Sequence, residues 1–369
     1  MAATQVYFSD LKASAKENLP SKLARLMDSA GLDEIIMPRA LVAIKLHFGE
    51  RGNTGFIRPV FIRRIADRVK ELGASPFLTD TNTLYAGTRG NSVTHLKTAI
   101  ENGFAYSVVN APIIIADGIR GASFSVVKID GALIKTAYVG KEIVESNALI
   151  SVAHFKGHEL TGFGGTIKNL GMGCASRRGK LAQHSDLCPR VKHKKCVGCG
   201  DCTQHCAQEA ISLNKEKAVI DSKKCVGCGE CILICQNRAI EVQWSGDIVA
   251  FQRKMVEYTL AILKGKAGKA FFLNFLTNIS PACDCYGHSD APIVGDVGIT
   301  ASKDPVAIDQ ASVDLVNRQV ASVNSCLKTS TEPGEDKFRG VYPRIDWSIQ
   351  LDYAEKLGLG TRKYQLVTI

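Results

Sequence analysis

Residues 40–48 (ALVAIKLHF) form an apolar run of strand length, which predicts a buried strand. In the next stretch, 58–72, Phe61, Ile62, Ile65, Val69 and Leu72 recur at the spacing of one helix face. Residues 75–80 (SPFLTD) predict the next strand, 93–102 the next helix, and 112–116 and 148–153 two further strands. Toward the C-terminus, 248–263 has the pattern of an amphipathic helix, 270–279 (AFFLNFLTNI) of a strand, 305–317 and 347–357 of helices, and 363–369 of a strand. Asp304 followed by Pro305 has the form of a helix start, with the aspartate as N-cap. Alternation of this kind predicts an α/β fold, a mostly parallel sheet with flanking helices.

The pattern is interrupted near the middle of the chain. Residues 194–213 read KKCVGCGDCTQHCAQEAISL and 223–242 read KKCVGCGECILICQNRAIEV; the two are offset by 29 residues and agree at 11 of 20 positions. This internal duplication sits between about 190 residues and about 125 residues of strand–helix alternation. The economical organisation is therefore an α/β domain in two parts, 1–189 and 245–369, with an inserted α+β module at 190–244. Of 369 residues 45% are hydrophobic and 22% charged, as in an ordinary globular chain. No apolar run approaches the roughly 18 residues that span a bilayer, and residues 1–10 are polar. The expectation is a cytoplasmic protein with no membrane partner, whose 13 cysteines are kept reduced; most crowd into one short stretch, where metal ligation is their natural role.

Each copy of the duplication carries C-x2-C-x2-C-x3-C: Cys196, Cys199, Cys202 and Cys206, then Cys225, Cys228, Cys231 and Cys235. Three cysteines two residues apart, with Gly198, Gly200, Gly227 and Gly229 relieving the backbone between them, can point three thiolates at one cubane. The fourth faces away and, in a two-cluster arrangement, ligates the other cluster. One [4Fe-4S] cluster is thus assigned to Cys196, Cys199, Cys202 and Cys235, and a second to Cys225, Cys228, Cys231 and Cys206. Structural zinc is the competing assignment, but it favours two separated C-x2-C knuckles over a triple run. The stretch resembles the bacterial-type two-cluster ferredoxin module over about residues 190–244, although Ala207 and Gln236 stand where that family usually has proline. The resemblance implies carriage of single electrons.

A second set of chemistry-bearing residues falls where strands should end, the place where open α/β sheets bind ligands. Lys45 and His47 share a face of the first strand; Asp80 closes the next; His154 closes ALISVAH, with Lys156 and His158 just beyond. Residues 161–174 (TGFGGTIKNLGMGC) hold Lys168 and Cys174 in a glycine-rich setting that either binds an anion or simply turns tightly. His154 and His158, four apart, are metal-ligand candidates or structural histidines. Residues 281–290 (PACDCYGHSD) add Cys283, Asp284 and Cys285; with Cys174 and Cys188 these cysteines could complete a third metal site, the alternative being buried reduced thiols. Asp309, inside its helix, could point toward the same place.

A basic stretch precedes the module: Arg177, Arg178, Lys180, Arg190, Lys192, Lys194 and Lys195, in a chain of formal net charge +10. It could steer an acidic redox partner protein or a small anionic substrate, or be a solvated linker. Nucleic acid is disfavoured, because no aromatic platform is interleaved with these residues.

The flanks also resemble a family of iron–sulfur (4Fe-4S) centre proteins of obscure activity, in which a domain of unknown function is joined to a two-cluster ferredoxin module. The matching pieces are residues 44–59, 78–92, 151–180, 281–290 and 296–311. The expected function is an iron–sulfur oxidoreductase or electron-transfer protein that relays electrons to a site on the α/β domain built from Lys45, His47, Asp80, His154, Lys156, His158, Lys168, Cys174 and Asp284. The alternative is a regulatory or binding protein with structural or oxidation-sensing clusters and a basic partner-binding surface.

Overall fold

The computed structural model describes residues 3–85, 87–184, 188–225, 227, 229–243 and 247–369. Cys228 and the module boundary at Trp244 lie outside the described residues. Eight strands form the main sheet: β1 (Thr4–Asp10), β2 (Leu41–Lys45), β3 (Ser75–Asp80), β4 (Ile113–Ile115), β5 (Ala148–His154), β6 (Ala270–Leu276), β7 (Gly298–Ser302) and β8 (Tyr364–Thr368). Their spatial order is β8-β1-β7-β6-β5-β2-β3-β4. Only β7 runs against its neighbours, pairing antiparallel with both β1 and β6, while every other pairing is parallel. The expected α/β class, a mostly parallel sheet with flanking helices, is what the chain adopts. Strands from before and after the cysteine-rich region share this one sheet.

Local chemistry explains the helix starts. Asn18, Asn91 and Asp247 each cap a helix with their side chains, accepting from Ser21, Thr94 and Ala250 N–H groups. Asp304 accepts from Val306 and Ala307 with Pro305 at the first helical position, the N-cap expected from sequence. The helices Leu19–Ser29 and Pro59–Glu71 cover one face of the sheet, their buried Leu23, Leu26, Ile62 and Ile65 packing with Val42, Ile44 and Ile150. On the other face Tyr258, Ile262 and Ile308 meet Ala43, Leu149 and Phe272.

Residues 190–241 form a separate small body. Arg190–Val191 pairs with Ile240–Glu241, and Ile211–Asn214 pairs with Lys217–Ile220, both antiparallel. The short helices Asp201–Gln204 and Glu230–Ile234 each follow a left-handed glycine, Gly200 and Gly229, so the duplication is structural as well as sequential. No helix among the described residues is long and apolar enough to cross a membrane.

Candidate functional site

In sheet order β2 neighbours β5, yet the chain leaves β2 toward β3 on one side and leaves β5 toward β6 on the other. That reversal opens a crevice at the carboxyl ends of the strands. Lys45, Asp80 and His154 are the last residues of β2, β3 and β5, so the sheet itself delivers them there. The crevice is a cavity of about 710 Å³, lined among others by Lys45, His47, Asp80, His154, Lys156, His158, Lys168, Cys283 and Cys285. Most of the residues expected from sequence are thus brought together at one place.

Hydrogen bonding sorts them into two kinds. The Lys45 ammonium meets Asp80 at 3.1 Å, Asn169 Oδ1 at 2.9 Å and the Leu46 carbonyl at 3.0 Å, which occupies its three donors. Asp80 also faces Arg89 at 3.5 Å and His95 at 3.7 Å. Burial pushes its carboxyl up, but Lys45, His95 and Arg89 outweigh that and hold its pKa below the ordinary value. His154 has both ring nitrogens engaged, Nδ1 with Asp284 at 2.9 Å and Nε2 with the Thr277 carbonyl at 2.9 Å. Asp284 is fully buried, off the cavity surface, with Lys156 3.3 Å away on its other oxygen. Lys45, Asp80, His154, Lys156 and Asp284 therefore build the frame of the cavity, and Asp284 does not present a carboxylate to a ligand.

His47, His158, Lys168, Cys283 and Cys285 are the second kind. His47 accepts the Gly49 N–H at Nδ1 (3.0 Å) and His158 accepts the Leu160 N–H at Nδ1 (3.1 Å), which assigns the ring proton of each to Nε2. Burial lowers both imidazole pKa values, with Arg89 assisting at His47 and Lys168 at His158, so both rings are neutral. His158 hydrogen-bonds the Cys283 sulfur, and Lys168 Nζ lies 3.7 Å from it. A hydrogen bond from Cys285, together with Lys168 and His158, overcomes burial and holds Cys283 well below an ordinary thiol, whereas that bond and burial hold Cys285 well above. Burial pulls Lys168 down, but Cys283, Cys285 and Glu159 outweigh it and keep its pKa raised.

Four expectations are corrected. Cys174 is fully buried beneath the cavity, and burial pushes its thiol up to about 12, so it is an inert core residue. Cys174 and Cys188 do not join Cys283 and Cys285 on the cavity wall, so those four do not form a third metal site. The glycine-rich segment leads into the helix Thr166–Gly171, but its first N–H groups, of Thr166 and Ile167, donate to Asp309 at 2.7 and 2.9 Å; the chain supplies its own anion there, and that is where Asp309 points. The basic stretch is not a continuous exposed surface. Arg177 and Lys180 are 1% and 7% exposed, Arg177 pairs with Glu230, Arg178 lies 3.9 Å over the Tyr138 ring, and Arg190 and Lys192 pair with Glu241.

Lys180 is one of several cavity residues whose role the sequence did not disclose. It lines the cavity and bonds Thr81 Oγ1 and the Ala175 carbonyl. Burial lowers its pKa to about 8, and it meets no carboxylate at salt-bridge distance among the described residues. Glu50, Tyr85 and Arg89 form another cluster on the cavity lining, with Tyr85 accepting from Arg89 at 2.6 Å. Glu50 lies in the piece 44–59 and the other two in 78–92, and no spacing in either singles them out.

The cysteine-rich body abuts this cavity. Leu84, on the cavity wall, packs with Leu181 and Val242, and Ile232 of the second cysteine run lies against them. Gly229 sits at φ +72° with a Cβ position only 2.6 Å from Leu84, so a side chain would not fit there. Cys196, Cys199, Cys202 and Cys235 line one small hollow, the set expected to be contributed crosswise from the two copies. These thiols surround a space rather than converging on a point: among the described residues no three His, Cys, Asp or Glu side chains come close enough to hold one metal ion. Backbone N–H groups of Ala218, Ala210 and Ala239 point at the sulfurs of Cys196, Cys206 and Cys235 at 3.4, 3.3 and 3.2 Å, the last two at equivalent places in the repeat.

The fold and this crevice define an α/β protein with a cavity at a sheet switch point. A family described as Domain of unknown function (DUF362) matches residues 42–314, and the chain belongs to it. No curated protein matches the sequence. Among solved structures the chain is similar to the lactate racemase apoprotein from Thermoanaerobacterium thermosaccharolyticum, at 14% identity and a TM-score of 0.38 over 74% of this chain and 51% of that one. It is also similar to a protein from Thermotoga maritima, at 9% identity and a TM-score of 0.38 over 91% of this chain and 58% of that one. The chain thus spans little more than half the length of either.

Proposed function

We propose that this protein is an iron–sulfur oxidoreductase in which the cysteine-rich body serves the switch-point cavity. The observation that carries this reading is the hollow formed by Cys196, Cys199, Cys202 and Cys235, three from one repeat and one from the other. The body around it is too small for a conventional core. Among the described residues its buried cluster holds Cys202 and Cys231 with Ile211, Ala218 and Ile240, and Cys196, Cys206 and Cys235 pack around them. A segment with so small a core is commonly held by a metal or disulfide staple. N–H groups aimed at sulfur fit thiolate ligands, whose charge they stabilise. Cys196, Cys199, Cys202 and Cys235 would hold one [4Fe-4S] cluster, and Cys225, Cys228, Cys231 and Cys206 the other. Bound there, such clusters supply one-electron transfer.

The rest is done by side chains of the α/β domain. Lys168 and Lys180 offer cationic charge to a small anionic substrate. Neutral His47 offers an Nε2–H group that can donate a proton or a hydrogen bond, while His158 spends its own on the Cys283 sulfur. The Lys45–Asp80 and His154–Asp284–Lys156 groups fix the cavity walls. Leu84 and Leu181 close the wall between the second cysteine run and the cavity, excluding water there.

Reductive titration of anaerobically purified protein with dithionite tests this. Uptake of two electrons per chain, with low-temperature EPR signals of two interacting cubanes, is the expected result. A chain that accepts no electrons and gives no such signal overturns the proposal.

A further inference from the structure

The turn at residues 281–286 places two sulfurs on the cavity and a carboxylate behind them. Cys283 and Cys285 line the cavity, while Asp284 between them points into the wall and is gripped by His154 and Lys156. Tyr286 N–H closes the turn on the Cys283 carbonyl at 3.1 Å, and the Cys285 N–H reaches the Cys283 sulfur at 3.4 Å. The Cys285 thiol is the donor and the Cys283 sulfur the acceptor between the two. Glu50 N–H binds the Asp284 carbonyl at 3.0 Å and Tyr85 hydroxyl binds the Cys285 carbonyl at 3.3 Å, so the turn is held from both sides. None of the frame-building interactions needs a sulfur at either position.

The geometry points to Cys283 and Cys285 as a redox-active dithiol that reduces a small organic disulfide in the switch-point cavity, with Cys283 as the attacking sulfur. Lys168 at 3.7 Å and the His158 ring stabilise a Cys283 thiolate, and Cys285 remains the thiol beside it. Thiolate attack on a disulfide, followed by resolution from a neighbouring thiol, needs no other group. Cys283 attacks one sulfur of R–S–S–R, forming a Cys283–S–S–R bond and releasing one RS⁻. Cys285 sulfur then attacks Cys283 sulfur; the Cys283–Cys285 bond forms, the second RS⁻ leaves, and the Cys285 proton passes to a departing thiolate. The products are RSH, RS⁻ and the protein disulfide. Two electrons and one proton return that disulfide to the thiolate–thiol form.

Size and charge narrow the substrate. Cys283 is 3% exposed at the cavity wall, so a disulfide within a folded protein does not reach it, whereas a small molecule fits about 710 Å³. Lys180, with no carboxylate at salt-bridge distance among the described residues, favours a disulfide that bears carboxylates. The inference rests on the proposed function only for the source of the two returning electrons, which two one-electron centres match in number.

The test reads the thiols by mass and does not depend on iron. Anaerobic full-length protein is treated with dithiodipropionate, its remaining thiols are alkylated, and the peptide carrying both cysteines is weighed. A Cys283–Cys285 disulfide is expected in the wild type, a mixed disulfide trapped on Cys283 in C285S, and neither in C283S. At about pH 6 the wild-type Cys283 should be alkylated on the order of tenfold faster than exposed Cys326, and K168M should remove most of that advantage. A wild-type protein that forms no such disulfide, or whose Cys283 reacts no faster than Cys326, overturns the inference. If the disulfide forms in a chain that takes no electrons from dithionite, the dithiol stands and the iron–sulfur reading falls; the reverse result separates them the other way.

Discussion

His95 shows how much of this site is held by groups that never meet a ligand. It is fully buried beside Asp80 and Arg89, and neither ring nitrogen has a hydrogen-bond partner among the described residues. Burial lowers its pKa to about 3, and that of His184, stacked on Phe251, likewise. Both stay neutral in the folded chain while the unfolded chain takes up their protons below about pH 6.5. The unfolded state then binds more protons, so stability falls as pH falls through this window, by up to about 1.4 kcal/mol per pH unit for each ring. Urea midpoints measured from pH 7 to pH 5 should therefore decline, and H95Q should flatten the decline in part, since His47, His158 and His184 also stay neutral in the fold; an unchanged slope would place the proton uptake elsewhere. Residue types and strand-end positions were legible in the sequence, which is why Lys45, His47, Asp80, His154, Lys156, His158 and Lys168 were all picked out. Which of them face the cavity with a donor to spare was not, because that depends on partners such as Asn169, Thr277 and Leu160 that no periodicity reveals.

The two short strands Lys156–His158 and Gly162–Gly164 carry the same lesson to elements. They pair as a ribbon that supports the 281–286 turn, and Gly157 N–H binds the Ser280 carbonyl at 2.9 Å. A Cβ on Gly157 would lie 2.1 Å from the Pro281 carbonyl oxygen, a contact with backbone that only separation of ribbon and turn relieves. G157A is thus expected to cost about 1–3 kcal/mol and to slow Cys283 alkylation, because the turn moves away from Lys168 and His158. Normal reactivity in G157A would show that the turn is held without the ribbon. Strands with strong apolar runs were readable from pattern alone, and 75–80 and 305–317 agree with Ser75–Asp80 and Pro305–Asn317 to the residue. Gly298–Ser302 was not, since GITAS has one large apolar residue, Ile299, among small and polar ones whose burial comes from the strands on either side. Nor could the sequence show that the glycine-rich segment is satisfied internally, because its anion, Asp309, comes from 143 positions away.

At the scale of the whole molecule, the chain builds five of the eight strands of the sheet, departs into a cysteine-rich body and returns to add the other three. The return strand β6 lies directly beside β5, and the turn bearing Cys283 and Cys285 follows β6, so the later half of the chain supplies the sulfurs and the earlier half the lysines and histidines around them. The departing segment places the second cysteine run against Leu84 and Leu181, on the wall of that cavity. The duplication was plain in the sequence because ligand spacing is a local property. Its contact with the cavity was not, because it depends on a leucine more than a hundred residues upstream. Anaerobic metal analysis of protein purified from its native host addresses the whole arrangement most directly. About eight iron atoms and eight acid-labile sulfides per chain, with no stoichiometric zinc, is the expected composition; about four irons or fewer, or zinc in their place, would contradict it.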